Sequence, residues 1–509
     1  MSTAARRSNV LFLMTDQHRV DTLGAYGNSQ VPTPALDRLA RTGTRFDRWY
    51  TPTAICTPAR ASLLTGQAPF RHRVLANAER NVGYIEDLPE EAFTFPQALT
   101  EAGYRCGLMG KWHAGSRRGP ADFGFEGIHH PGWHNPVDHP DYLAWLAERG
   151  LPPYRISDQV RGTLPNGGPG NLLAARLQQP VEATFERYLA DRTIELLRRY
   201  ADGALNRDEP FFVGLHFFGP HLPYILPDAY FDLIDPAGVE LPRSCMETFT
   251  DKPTVQRNYS AHWTFDTMPS EVSRKLIAAY WGYVAMIDAE IARVLAALDE
   301  LGLTEDTAVF FTSDHGEFTG AHRLHDKGPA MYEDIYRTAG IVRLPGAPAG
   351  MVRDEFVSLL DCTATILDLA GLDPGDAVDS RSLLDLVHGR DESPWAPDLV
   401  AEFHGHHFPY PQRMLREERY KLVVDPSAVN ELYDLDRDPD ELHNLYSLPE
   451  YAAVRRRMMR RLYRLLRERG DNFHHWMTSM YEVGGVDHDP TLSGLDEDTY
   501  AVVSGSAQR

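Results

Sequence analysis

The stretch Val10-Leu11-Phe12-Leu13-Met14-Thr15-Asp16-Gln17 decides the fold: five consecutive apolar side chains without alternation, then an abrupt polar end. So short an unbroken apolar run reads as a strand covered on both faces, the condition of a parallel sheet between helical layers. Similar runs recur at Phe211 to Phe218, Ala308 to Thr312 and Ile341 to Leu344. Helical patterns lie between them. One opens on a Thr33 cap with Pro34 in the first turn and covers Ala35 to Thr42 before Gly43; another spans Val272 to Leu301 and stops near Gly302. Strand and helix alternate, so the expected class is α/β, a large and mainly parallel sheet sandwiched by helices, with ligands at the carboxyl ends of the strands.

After about Pro394 the texture changes. Leu399 to Phe403, Arg413 to Leu415, Tyr420 to Val424 and Leu432-Tyr433-Asp434 predict a small antiparallel sheet, and Val454, Met458, Leu462 and Leu465 fall at helical spacing among the arginines from Arg455 to Arg469. The expected division is a catalytic domain over 1–394 and a C-terminal subdomain over 395–509 with the small sheet, an amphipathic helix and a tail. His129 to Asp141, rich in His and Pro, is expected to be an irregular loop.

The 509 residues carry 51 Lys plus Arg against 72 Asp plus Glu, a net charge of -21. That field repels nucleic acid and anionic membrane, neither of which is an expected partner, and it obliges any anionic substrate to find a dedicated positive pocket. The arginine-rich helix is therefore read as a solvated face packed on the small sheet. Four cysteines, Cys56, Cys106, Cys245 and Cys362, are too few for a disulfide framework, and behind Arg6 and Arg7 the apolar run is too short for export or for a membrane span. A cytoplasmic location is the expectation; oligomeric state is not legible.

Three strand ends carry polar groups: Asp16 and Gln17, Asp314 and His315, and Pro220-His221. Two carboxylates, an amide oxygen and an imidazole at neighbouring strand ends suit a divalent cation. Between them in the chain stands Cys56-Thr57-Pro58-Ala59-Arg60-Ala61-Ser62-Leu63-Leu64-Thr65-Gly66. This segment resembles the Cys-x-Pro-x-Arg signature of the formylglycine-dependent sulfatases, in the alkaline phosphatase superfamily. Gly103-Tyr104 with Gly110-Lys111-Trp112-His113 resembles the second signature of that family. The likeness extends to His221-Leu222-Pro223, Ser313-Asp314-His315-Gly316, Lys327 and Glu431-Leu432-Tyr433-Asp434-Leu435, nearly the whole chain.

The resemblance implies an alkaline phosphatase-like fold and hydrolysis of a sulfate monoester, with an aryl, alkyl or small carbohydrate alcohol. Cys56 would be converted by the formylglycine-generating enzyme, a partner during maturation. The hydrated aldehyde, on a divalent cation, would attack sulfur and form a covalent sulfo-enzyme, and its second hydroxyl would then expel sulfate. Asp16, Gln17, Cys56, Asp314 and His315 would surround the cation; Arg60 and Lys111 would anchor the diol and the sulfate oxygens. Asp314 could also take the attacking hydroxyl's proton. His113 would accept the hemiacetal proton, and His221 and Lys327 would contact sulfate and protonate the leaving oxygen. Calcium is the expected cation, with manganese as the alternative because His315 brings nitrogen into the set.

The pairing of Asp16-Gln17 with Asp314-His315, and Asn77, also resemble the phosphonate monoester and phosphodiester hydrolase branch, against which Lys111-Trp112-His113 stands. A third reading is a silent sulfatase-like binding protein that keeps the Cys56 thiol. Trp133, His134, Tyr224, His404, His406 and His407 are candidates for the alcohol pocket, each expected more as a packing or surface residue than as a substrate contact.

Overall fold

The computed structural model describes residues 7–77, 85–164, 166–205, 209–390 and 394–473; Arg6 and the expected tail beyond Phe473 lie outside the described residues. Along the nine-stranded sheet found among them run Met351–Arg353, Thr44–Tyr50, Arg337–Arg343, Thr307–Ser313, Asn9–Thr15, Phe211–His216, Arg105–Gly110 and Glu126–Gly127, with Val357–Ser358 added to Thr44–Tyr50. The four strands from Thr307–Ser313 to Arg105–Gly110 are mutually parallel. Arg337–Arg343 runs antiparallel to both neighbours, so the sheet is mixed although its centre is parallel.

The unbroken apolar runs have the cause the sequence suggests. Leu11, Leu13, Val213 and Phe311 point into one core with Tyr188 and Leu197 of the helix Phe185–Leu205 and Tyr280 and Ile287 of Ser270–Glu300. Val10, Phe12, Met14, Phe212 and Phe310 point into the other, with Leu63 of Cys56–Thr65, Leu99 of Phe95–Glu101 and Ile366 of Asp361–Leu369. Successive strand residues face opposite sides, so burial on both faces removes every polar position from the run.

The helix Pro34–Thr42 forms where expected, but Thr33 does not cap it. The Thr33 hydroxyl accepts from Gly24 N, and the Asp288 carboxylate, from the helix Ser270–Glu300, takes up Ala35 N at 3.0 Å and Leu36 N at 2.9 Å. A cap supplied across a tertiary contact leaves no local signature. Asp288→Ala is expected to cost about 2 kcal/mol, read as a lower urea midpoint. Burial raises the Asp288 carboxyl from 3.8 to about 6. The folded state thus holds its proton more tightly, and the stability this contributes is full below the unfolded value and fades as pH rises through the folded one.

The C-terminal sheet is an antiparallel meander of Asp398–Gly405, Pro409–Glu417, Tyr420–Val424 and Glu431–Asp434. One face packs Leu415, Leu422 and Leu432 under Met458, Leu462 and Leu466 of the helix Ala452–Arg469. The other packs Phe403, Met414 and Tyr433 against Tyr50, Ile55 and Met331 of the larger layer. A further three-stranded sheet of Ile156–Thr163, Pro169–Leu177 and Tyr224–Pro227 was not expected, because its hairpin is short of buried apolar positions. The His129 to Asp141 loop ends where Pro140 opens the helix Pro140–Glu148. Among the described residues no helix is long and apolar enough to cross a membrane.

Candidate active site

Strand register assembles the site. Thr15 pairs with Ser313, so Asp16 and Asp314 leave the sheet side by side; Met14 pairs with His216, and His216 with Gly110, so Lys111 emerges two strands away at the same edge. Gly110 has φ +104°, and a Cβ there would stand 1.9 Å from the His216 carbonyl oxygen, which explains glycine just before Lys111. Cys56 begins its helix at this edge, after Ile55 and with no exposed surface. The Asn77 side-chain oxygen accepts Thr57 N at 2.9 Å and so holds the helix's first turn.

One donor atom each from Asp16, Cys56, Asp314 and His315 lies within 4.8 Å of all the others. Ligands about 2.0–2.6 Å from a shared cation can be spaced this far apart, so the set fits a divalent ion. His315 supports the same fit. Its Nδ1 is 2.8 Å from the Gly316 carbonyl, which leaves Nε2 directed into the cluster, 3.1 Å from Cys56 Sγ. Burial alone would lower the His315 pKa, but the neighbouring Asp314 and Cys56 raise it to about 9.

Cations surround these acids. Arg60 donates from Nε to Asp314 at 2.9 Å, from Nη2 to Asp16 at 3.0 Å and from Nη1 to the Lys111 carbonyl at 3.0 Å. Lys111 Nζ is 2.5 Å from Asp16 and 3.0 Å from the Trp133 carbonyl. Burial opposes ionisation of Asp16, yet the Lys111 and Arg60 cations hold its carboxyl well below the usual range. With Arg60 side-chain exposure at 2%, Arg60→Ala would leave two buried carboxylates facing each other, and in metal-stripped protein should cost about 3–5 kcal/mol of stability. Arg60→Lys should recover little, since one ammonium cannot reproduce the fork; an unchanged denaturation midpoint in both variants would contradict this.

Lys327 Nζ is bound by Asp326 at 2.9 Å, the Gln17 amide oxygen at 3.0 Å and His221 Nε2 at 3.0 Å. His221 Nδ1 meets the Leu222 carbonyl at 2.6 Å, so that nitrogen carries the hydrogen and Nε2 accepts from Lys327. Burial first, then Lys327, holds His221 well below its usual pKa, and His113 is lowered likewise by burial, Lys111 and Arg60. His113 Nδ1 is buried with no hydrogen-bond partner. All the residues singled out for chemistry thus meet at one edge, the Gln17 carboxamide turned toward Lys327.

Three contributors escaped the sequence. Glu317, fully buried, receives the Gln17 amide and Thr319 N; Asp326 pairs with Lys327; and the Tyr280 hydroxyl, donating to Gln17 O at 2.8 Å and accepting from Arg19 N at 2.9 Å, secures the turn in which Gln17 has φ +60°. Only their nearness to Asp314 and Lys327 in the chain could have pointed to the first two. Of the alcohol-pocket candidates, Trp133, His406 and His407 line a cavity of roughly 330 Å³ beside His113, His221 and Lys327. The others are elsewhere: Tyr224 is buried against Tyr280, His404 bonds Glu402 at 2.7 Å, and His134 lies exposed against Trp133.

A buried thiol, paired acids and a ring of cations at the carboxyl edge of a helix-covered sheet define a hydrolase of the alkaline phosphatase-like class. The family model described as Sulfatase matches residues 8–372, and that of the N-sulphoglucosamine sulphohydrolase C-terminal region matches 320–468. The chain belongs to the sulfatase family. It is 29% identical over 472 residues to the uncharacterized sulfatase YidJ of Escherichia coli K12, covering 89% of this chain and 86% of that one. An arylsulfatase of Clostridium perfringens is 28% identical over 467 residues, covering 87% and 91%. The crystal structure of a phosphonate monoester hydrolase of Agrobacterium radiobacter superposes with a TM-score of 0.75 at 26% identity, covering 91% of this chain and 96% of that one.

Proposed function

We propose that this enzyme cleaves a sulfate monoester at the strand-edge site, with Cys56 in its formylglycine form and a divalent cation held by Asp16, Gln17, Asp314 and His315. The convergence of the Cys56, Asp16, Asp314 and His315 donors within 4.8 Å, ringed by Arg60, Lys111 and Lys327, carries the reading. The cation would supply a Lewis acid and the oxidised residue a hydrated aldehyde with two hydroxyls. Calcium suits the oxygen donors, and manganese the imidazole.

The chain's own groups divide the remaining work. Arg60 fixes both carboxylates and, with Lys111, offers positive charge to sulfate oxygens in an otherwise acidic protein. The neutral His113, with a free Nδ1, is suited to take a proton. Lys327 carries the proton that the leaving oxygen needs, while His221, unprotonated and accepting from Lys327, orients it. The proposed domain boundary near Pro394 rests on the separate core beneath the helix Ala452–Arg469.

Lys327→Ala tests this assignment. It should slow an alkyl sulfate about 10²–10⁴-fold and an activated aryl sulfate far less, because a stable phenolate leaves without an acid. Lys111→Ala should slow both alike. The fold likeness to phosphonate monoester hydrolase favours a second reading, hydrolysis of phosphonate monoesters or phosphodiesters. That reading replaces the first if such esters exceed every sulfate in kcat/KM and Lys111→Ala leaves their turnover unchanged.

A further inference from the structure

We infer that the cavity beside Lys327 takes a neutral aromatic alcohol of one or two fused rings, and that Phe265 and His325 set its length by walling it from a second hollow. The inference rests on the proposed sulfatase reading and names the alcohol half of its substrate. At roughly 330 Å³ the cavity is at the small end of ligand pockets, which run from about 300 to 1,000 Å³. Its walls include Trp133, Leu164, Leu173, Tyr259, Trp263 and Phe265. Aromatic faces and leucines receive a flat ring well. Asn77, Thr163, Asn171 and Asp326 also line it, so a hydroxyl carried on the ring would find a partner there. Among the described residues Lys327 is the only Lys or Arg lining the cavity, so a polyanionic glycan would find little counter-charge there.

Phe265 and His325 also line a second hollow of roughly 530 Å³, whose other residues include Leu241, Met246, Met268 and Arg323. The two rings stand with centroids 4.8 Å apart at 49°. Burial lowers His325 to about 4, so the partition presents a neutral imidazole. It is anchored on both sides: the Thr264 hydroxyl donates to the Thr163 carbonyl in the hairpin, and Arg323 donates to the Asp266 carbonyl. A ring that reaches Phe265 and His325 would meet this wall, and deleting the Phe265 ring would open the second hollow to it.

The test compares 2-naphthyl sulfate with p-terphenyl-4-yl sulfate, whose phenols leave with similar ease, on the mature holoenzyme. Wild type should favour the naphthyl ester at least about tenfold in kcat/KM; Phe265→Ala should move that ratio about tenfold toward the terphenyl ester, and Phe265→Trp should move it the other way. Binding of 2-naphthol and 4-hydroxyterphenyl, followed by calorimetry, reads the cavity without turnover. Wild type should bind only the former and Phe265→Ala both. Unchanged ratios and unchanged binding in folded variants overturn the wall, and a hexose sulfate turned over better than either aryl sulfate overturns the aromatic class. If no sulfate ester reacts, the sulfatase reading fails; naphthol binding with the Phe265 length dependence would still support the cavity assignment, and its absence would overturn it.

Discussion

Cys56→Ala is expected to remove sulfate ester hydrolysis almost completely, by on the order of 10⁵-fold or more, because it deletes the proposed nucleophile. The fold should persist. Cys56 is a small residue at the first position of a helix whose first turn is held by Asn77, and loss of one sulfur leaves only a minor cavity. Cys56→Ser is the more informative variant. An introduced hydroxyl could accept the sulfuryl group but has no second hydroxyl through which to expel it, so at most one equivalent of alcohol should be released per enzyme before turnover stops. Mass spectrometry of the peptide containing Cys56 supplies the companion measurement. Active protein should carry formylglycine there, and protein from a host lacking the maturation enzyme should be folded and inert. Full turnover with an intact thiol would refute the assignment.

The second large effect concerns the cation. Asp314→Ala deletes a carboxylate that contacts Arg60 and accepts from Gln17 N at 3.1 Å, so it should abolish stoichiometric metal binding and lower kcat/KM by about 10³-fold or more. Chelation of the wild type should do the same reversibly, and restoring calcium or manganese separately would identify the ion by which one returns activity at stoichiometric concentration. Metal analysis of a folded Asp16→Ala, Asp314→Ala double variant gives the decisive observation: a full equivalent retained would place the cation elsewhere. Loss of metal with retained activity would instead separate binding from catalysis.

These outcomes depend on features with unequal visibility. Three of the four central parallel strands are legible because burial on both faces leaves an apolar run, as at Val10 to Met14, and a strand's end must then expose its next polar residues at the edge; the fourth, Arg105–Gly110, carries no such run, and the run at Ile341 to Leu344 belongs to a strand that pairs antiparallel. The strand ends therefore offer Asp16 and Asp314 as candidates, while the register of Thr15 with Ser313 sets them side by side. The small C-terminal sheet is legible for a similar reason, although its strands extend beyond the apolar segments that announce them. Its role in joining the body is not legible, since the face carrying Phe403 and Met414 meets residues as distant in the chain as Tyr50 and Ile55.

What the sequence by itself determined was the α/β class, the strand-edge location of the polar clusters and, through Cys56-x-Pro58-x-Arg60, the family whose model matches most of the chain. Those are properties of contiguous residues and of local periodicity. Tertiary structure alone decided the capping of Pro34–Thr42 by Asp288, the tautomer of His221 beside Lys327, the burial of Glu317 under Gln17, and which of six aromatic and histidine candidates line a cavity. Each depends on the approach of side chains far apart in the chain, or on the direction of a single hydrogen bond. Such contacts are set by how helices and strands pack against one another, and packing leaves no periodic signature in the segments that it brings together.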